Sequence, residues 1–280
     1  MEKFLQNKSK FVIAALTIAA LAVIFYLVYG KHEPGTLEST NLVDTITDVV
    51  QQNVGPTFKY IEIVESCGPY FNGSCVNMRS GPGSEFPPVS KLRNGMILKV
   101  ADTVVNDAGQ TWYKIKFDDG IRYRERVSSD WYVAAEFAHL FTDPGDVELS
   151  DTTASTTKHI LVDRSEQTLY AYDGDTLFMK EPISTGLEFT PTPRGTFTIY
   201  KKTPSRYMQG PLPGISDQYY DLPGVPWNLY FTEQGAVIHG AYWHDHFGKQ
   251  WSHGCVNLPP EKAKQLYYWA DVGTQVVVQD

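Results

Sequence analysis

Val237-Ile238-His239-Gly240-Ala241-Tyr242-Trp243-His244-Asp245-His246-Phe247-Gly248-Lys249-Gln250-Trp251-Ser252-His253-Gly254-Cys255-Val256-Asn257-Leu258 is the stretch on which this chain turns. Ala236 to His239 has the apolar, β-branched make-up of a strand and delivers a histidine at its end. A thiol attacks well only as thiolate, and an ordinary cysteine near pKa ~8.5 is mostly protonated at neutral pH. Imidazole can take that proton and return it to a leaving amine, and His239, His244, His246 and His253 all lie within sixteen residues of Cys255. Gly254 lets the backbone turn tightly before the thiol, so that consecutive N–H groups can face a developing oxyanion. The rival chemistry is zinc, for which His239, His244, His246, His253 and Cys255 are all competent ligands. No two of them have a structural-finger spacing, and a zinc-bound thiolate is a poor nucleophile, so the expectation is acyl transfer with neither metal nor organic cofactor. His244 and His246 flank Asp245 in what reads as a solvated loop without a role.

Working outward, His159 to Val162, Thr168 to Tyr172, Leu177 to Ile183 and Gly195 to Tyr200 read as strands, with Asp173-Gly174-Asp175 as a hairpin turn. Residues 201 to 229 are rich in Gly, Pro and Tyr without clear periodicity, which reads as a long flap or lid. Pro259 to Ala270 is the one convincing helix of the exported body, with Pro at its start and Ala263, Leu266, Tyr267 and Ala270 on one face. Val276 to Val278 closes as a buried strand. This gives a β-rich domain with one main helix over 158–280.

Ahead of it, residues 141–157 have linker composition, acidic and rich in Thr and Ser. Residues 55–140 alternate short strand runs (Lys59 to Val64, Met96 to Val100, Trp112 to Phe117, Trp131 to Val133) with Gly, Pro, Asn and Asp turns, the pattern of a small all-β module. Residues 31–54 read as a stalk. Phe11 to Tyr29 is a charge-free apolar run; nineteen residues at ~1.5 Å rise span about 28 Å, the hydrocarbon thickness of a bilayer. Lys3, Lys8 and Lys10 precede the run, which orients residues 1–30 as cytoplasmic tip and transmembrane anchor with the body outside. The run is long for a signal peptide and ends in no small-x-small site. An extracytoplasmic address suits the cysteines: Cys67 and Cys75 bracket a short turn-rich loop that a disulfide can close, leaving Cys255 unpaired.

The chain of 280 residues carries a formal charge of −8. Lys3, Lys8, Lys10 and Lys31 against Glu2 account for three positive charges, so the remainder stands near −11. So acidic a body, with no basic stripe in its sequence, is unsuited to nucleic acid.

Two resemblances sharpen this reading. Val76-Asn77-Met78-Arg79-Ser80-Gly81-Pro82-Gly83, then Lys91 to Gly95, Trp112-Tyr113-Lys114-Ile115 and Trp131-Tyr132-Val133, resemble bacterial SH3 domains, small β-barrels that are similar to wall-binding modules. The insert Asp118 to Asp130, with Arg122, Arg124, Glu125 and Arg126, is longer than that pattern needs. His239-Gly240 followed by Ser252-His253-Gly254-Cys255-Val256-Asn257 resembles the active-site motif of L,D-transpeptidases (YkuD-like), and the likeness extends upstream through Ile160 to Asp163, Gln167 to Tyr170, Ser184-Thr185-Gly186 and Thr192 to Phe197. It implies Cys255 as nucleophile, His239 as proton donor and acceptor, and His253 and Gly254 beside the oxyanion pocket. It implies further that Ser252 and Asn257 shape the substrate site and that Trp243 lines it. The implied reaction is 3→3 cross-linking of peptidoglycan stem peptides, with L,D-carboxypeptidase action or non-catalytic wall binding as the alternatives. Gly240 stands where some members have Ser, which leaves a backbone carbonyl to orient the histidine ring. Nothing in the sequence speaks to oligomeric state.

Overall fold

The computed structural model describes residues 56–68, 75–118, 120–150, 156–214 and 216–280. The expected anchor at Phe11 to Tyr29 and the stalk lie outside them, and no helix among the described residues is long and apolar enough to cross a membrane.

Alternating side chains build the first domain. Strands β1 (Phe58–Ile63), β2 (Asn77–Arg79), β3 (Pro88–Lys91), β4 (Ile97–Val105), β5 (Thr111–Lys116), β6 (Tyr132–Ala134) and β7 (Ala138–Asp143) form one sheet in the order β3-β2-β6-β5-β4-β1-β7. Ile61, Ile63, Met78, Leu98, Ile115, Trp131 and Val133 make its core. The β4–β5 turn is set by Asn106, whose Oδ1 accepts the N–H groups of Ala108 (3.1 Å) and Gln110 (2.9 Å). Cys67 and Cys75 form a disulfide.

The second domain holds two five-stranded sheets. In one, β9 (Lys158–Asp163), β10 (Thr168–Asp173), β11 (Thr176–Pro182), β12 (Gly195–Thr198) and β17 (Gln275–Gln279) run in the order β11-β10-β9-β17-β12, with β9 and β17 parallel. In the other, β8 (Val147–Glu148), β13 (Lys201–Leu212), β14 (Ser216–Tyr230), β15 (Val237–Gly240) and β16 (Val256–Leu258) run in the order β16-β15-β14-β13-β8. Helix α1 (Pro260–Trp269) carries Pro at its start and buries Ala263, Leu266 and Tyr267. Its C-terminal carbonyls are capped from the sheet: Lys202 Nζ donates to Tyr267 O (2.6 Å) and Ala270 O (2.5 Å). Burial lowers the Lys202 pKa to about 8.

Two expectations are revised. Residues 201 to 229 are not an irregular flap but the long antiparallel hairpin β13–β14, whose register shifts between Arg206 and Met208 and between Gly210 and Leu212. Bulges and the prolines at 204, 211, 213, 223 and 226 interrupt the two-residue period that marks a strand in sequence. The expected linker from 141 is partly built into the sheets, because β7 extends to Asp143 beside β1 and β8 pairs with β13.

The two domains also share their cores. Tyr60 and Ile97 of the first pack with Trp227, Leu229 and Tyr267 of the second. Val225 and Tyr242 of the second pack with Met78 and Trp131 of the first. Gly55 to Asp280 is accordingly one compact unit.

Candidate active site

β15 and β16 lie side by side in parallel, pairing Ile238 with Val256, His239 with Asn257 and Gly240 with Leu258, and every residue of both strands is buried. Cys255 immediately precedes β16, two positions before the partner of His239. His239 and Asn257 are partners in the ladder and project to one side, and Cys255 lies two residues before Asn257. All three line the same groove, about 1510 Å³ in volume, with Trp243, Ser252, His253 and Gly254.

The His239 ring is fully buried, with Nδ1 3.0 Å from the carbonyl oxygen of Gly240. A carbonyl only accepts, so Nδ1 carries the proton and donates it, and Nε2 keeps its lone pair. That Nε2 has no partner. Gly240 therefore orients the ring with its backbone, and glycine is the residue the packing admits there: an added Cβ would stand 2.8 Å from Pro226 Cγ and 3.0 Å from Pro260 Cα. Burial lowers the His239 pKa to about 4, opposed by its bond to Gly240 and reinforced by the charge of Arg206. Burial also raises the Cys255 thiol above its ordinary value, opposed by Arg206 and by the Val237 N–H. The resting pair at neutral pH is thus thiol and neutral imidazole, the thiol 3.8 Å from the Gly235 carbonyl.

The loop before Cys255 is shaped by Ser252. Its hydroxyl donates to Cys255 O (2.5 Å) and accepts from Gly254 N–H (3.1 Å), and Thr192 Oγ1 also donates to Cys255 O (3.4 Å). Gly254 has φ +111, a conformation L side chains rarely adopt, although a Cβ would meet nothing nearer than 3.7 Å. The Gly254 N–H was expected to face an oxyanion; it is already engaged by Ser252. The segment expected to matter at Ser184-Thr185-Gly186 braces this loop: Ser252 N–H donates to Thr185 O (3.0 Å), and Leu187 N–H to Ser252 O (2.8 Å). Gln167 in turn holds Thr185 through its Oε1 (2.9 Å) and Nε2 (2.7 Å).

His244 does not sit in a solvated loop. It is 5% exposed, with Nε2 2.8 Å from the Asn257 amide and Nδ1 accepting His246 N–H (3.2 Å). Burial lowers its pKa to about 4, so the ring is neutral and carries one proton. Accepting at both nitrogens would leave that proton nowhere, whereas an Asn257 amide with its oxygen turned to Nε2–H satisfies both contacts and the amide oxygen that is otherwise orphaned. Sequence reasoning missed this residue because its polarity suggested solvent; the loop is drawn inward by Gly248 N–H to Ile183 O (2.7 Å) and Ser184 Oγ to His246 O (2.7 Å). His246 itself is half-buried against Trp251, ring centroids 3.8 Å apart. Among the described residues no three His, Cys, Asp or Glu side chains gather as a metal site.

The facing wall is the β13–β14 hairpin, and the long insert of the first domain holds it. Tyr123 N–H donates to Gln209 Oε1 (2.8 Å), Tyr123 OH to Pro211 O (2.8 Å), and Arg126 Nη1 to Tyr220 O (3.3 Å). Arg126 also approaches Asp221 (3.6 Å), and Asp118 Oδ2 accepts Tyr207 N–H (2.9 Å). Tyr220 then stacks on His253, centroids 6.1 Å apart, which links the insert to the motif histidine. Trp243 lies beside His239, centroids 5.7 Å apart.

Comparison with known proteins bears on this arrangement. Residues 157–278 match the family described as L,D-transpeptidase catalytic domain, and residues 74–132 match the bacterial SH3 domain. A Mycobacterium tuberculosis protein named "Probable L,D-transpeptidase 3" is 34% identical over 104 residues, covering 35% of this chain and 38% of the relative. A Bacillus licheniformis protein bearing the YkuD name is 29% identical over 122 residues, covering 42% of this chain and 64% of the relative. The chain thus spans less than two thirds of either relative. Among solved structures, an L,D-transpeptidase from Mycobacterium smegmatis aligns over 65% of this chain and 99% of its own, at 23% identity and TM-score 0.42.

Proposed function

We propose, for a chain that carries an L,D-transpeptidase catalytic domain at 157–278 behind a bacterial SH3 domain at 74–132, that it cross-links peptidoglycan stem peptides through a thioester on Cys255. One observation carries the reading: an unpartnered, neutral His239 Nε2 and the Cys255 thiol line one groove from neighbouring parallel strands. The thiol gives its proton to Nε2 as Sγ attacks the carbonyl of the third stem residue, and the resulting imidazolium keeps donating its Nδ1–H to the Gly240 carbonyl. The oxyanion is met by the Cys255 N–H, since that of Gly254 is held by Ser252. Imidazolium then protonates the leaving amine, terminal D-alanine departs, and the thioester remains. An amine from a neighbouring stem, deprotonated by the same ring, resolves it to the 3→3 bond; water in its place would give carboxypeptidase action. Arg206, whose charge favours the thiolate, helps the sulfur through its anionic stage.

The body works outside the cytoplasm in this proposal, tethered by the apolar span Phe11 to Tyr29; the Cys67–Cys75 disulfide suits an oxidising compartment. The test is to incubate the full-length chain with tetrapeptide stems and separate the products. Dimers joined 3→3 support cross-linking, and tripeptides alone support the carboxypeptidase. An unchanged substrate, with Cys255 also unacylated by a carbapenem in intact-mass measurement, leaves a non-catalytic wall-binding protein.

A further inference from the structure

The groove is more basic than the protein around it. Its lining includes Lys99, Lys116, Arg122, Lys201 and Arg206 against the carboxylates of Asp118 and Asp146, in a chain of formal charge −8. These cations are not equally available. Lys201 is paired with Asp146 (2.8 Å) and Glu148 (3.1 Å), and Lys99 lies 3.7 Å from the centre of the Phe58 ring. Asp118, which could have neutralised the wall, is turned to the Tyr207 N–H, and its burial favours the uncharged acid.

Arg206 is different. It stands on β13, half-buried, with its guanidinium carbon 5.5 Å from the Tyr230 ring centre, and among the described residues no carboxylate is within ion-pair distance of it. It lines the same groove as Cys255 and His239, and its charge is felt at both. A half-buried guanidinium laid on an aromatic face with its donor fork unmatched is a receptor for a planar anion, to which it can give two parallel hydrogen bonds.

We propose that Arg206 anchors a carboxylate of the substrate peptide in the groove that holds Cys255, and that Lys116 and Arg122, which line the same groove, continue the track for an acidic peptide. The proposal deepens the stem-peptide reading and rests on it for the identity of the natural ligand. A lone fork beside the nucleophile suits a carboxylate; a phosphate polymer would call for a cluster of free cations there, and the neighbouring lysine at 201 is already paired.

The test reads Cys255 alkylation in the full-length chain by two small reagents, anionic iodoacetate and neutral iodoacetamide. The ratio of their rates is expected to fall about tenfold in Arg206→Gln and to be largely restored in Arg206→Lys, the size of one charge-assisted contact. An unchanged ratio in a Gln variant that still reacts with iodoacetamide overturns the proposal. On the unaltered chain, an acidic tetrapeptide ending in a free carboxylate should protect Cys255 at about one tenth the concentration needed by its carboxamide twin; equal protection overturns it even if the Gln variant does not fold. Protection by inorganic polyphosphate below the level required for the peptide overturns it in favour of a phosphate polymer. Because neither alkylation nor protection needs turnover, a chain that passes these tests but makes no cross-links would refute the proposed activity and leave the anchor standing.

Discussion

On one side of the groove, His239 and the residues after Cys255 sit in two short strands buried along their whole length, the second braced by Ser184, which exchanges both backbone hydrogen bonds with Asn257. On the other side, the 201–230 hairpin reaches out with bulged register, and its outer part is gripped by Tyr123 and Arg126 from a different domain. The first wall owes its geometry to neighbours in the sheet, whereas the second owes part of it to residues 86 to 94 positions away. Under the proposed function, the chemistry lies on the wall that cannot move without unfolding, and the fit to the substrate on the wall that another domain can tune.

That contrast can be broken or sharpened experimentally. The largest effect is expected for Cys255→Ser, which should abolish detectable acylation and turnover, about 10⁴-fold or more, with the melting temperature little changed; residual turnover near the wild-type rate would move the nucleophile elsewhere. His239→Gln should cost about 10²- to 10⁴-fold in kcat with KM nearly unchanged, because the ring is required for proton transfer and its site is already preorganised. The pH dependence follows from the directions of the two shifts. His239 loses its proton near pH 4 and is neutral above it, while the thiol stays protonated past its ordinary value, so alkylation of the free protein by iodoacetamide should climb about tenfold per unit through pH 6 to 8. A plateau across neutral pH would mean a resting thiolate–imidazolium pair instead. The smallest effect is for Arg126→Gln on the facing wall: KM rising about three- to tenfold with kcat held, and faster amide exchange along β14. If exchange along β14 is unaltered, the hairpin does not depend on the insert.

How far the sequence could be read follows the same division. The strand into His239, the helix Pro260–Trp269 and the hairpin β10–β11 are local patterns, and the thiol with its histidines is written in one short run. His244 was hidden because burial of a polar ring depends on a partner, Asn257, brought near only by the parallel pairing of β15 and β16. The hairpin was hidden by its prolines, which break the alternation that a lone sequence offers as evidence of pairing. The longer insert at 118–130 could be noticed as an excess, yet its target, Gln209 and Tyr220, is a matter of tertiary packing.

The exchange of Tyr60 and Ile97 for Val225 and Tyr242 across the domain boundary has a consequence for inheritance. Modules joined by a string can be shuffled between genes and keep working; halves that finish each other's interiors must travel and melt together. Removing the amino-terminal half would strip cover from Trp227 and Tyr267 beneath the catalytic sheet, so thermal denaturation should show a single transition rather than two.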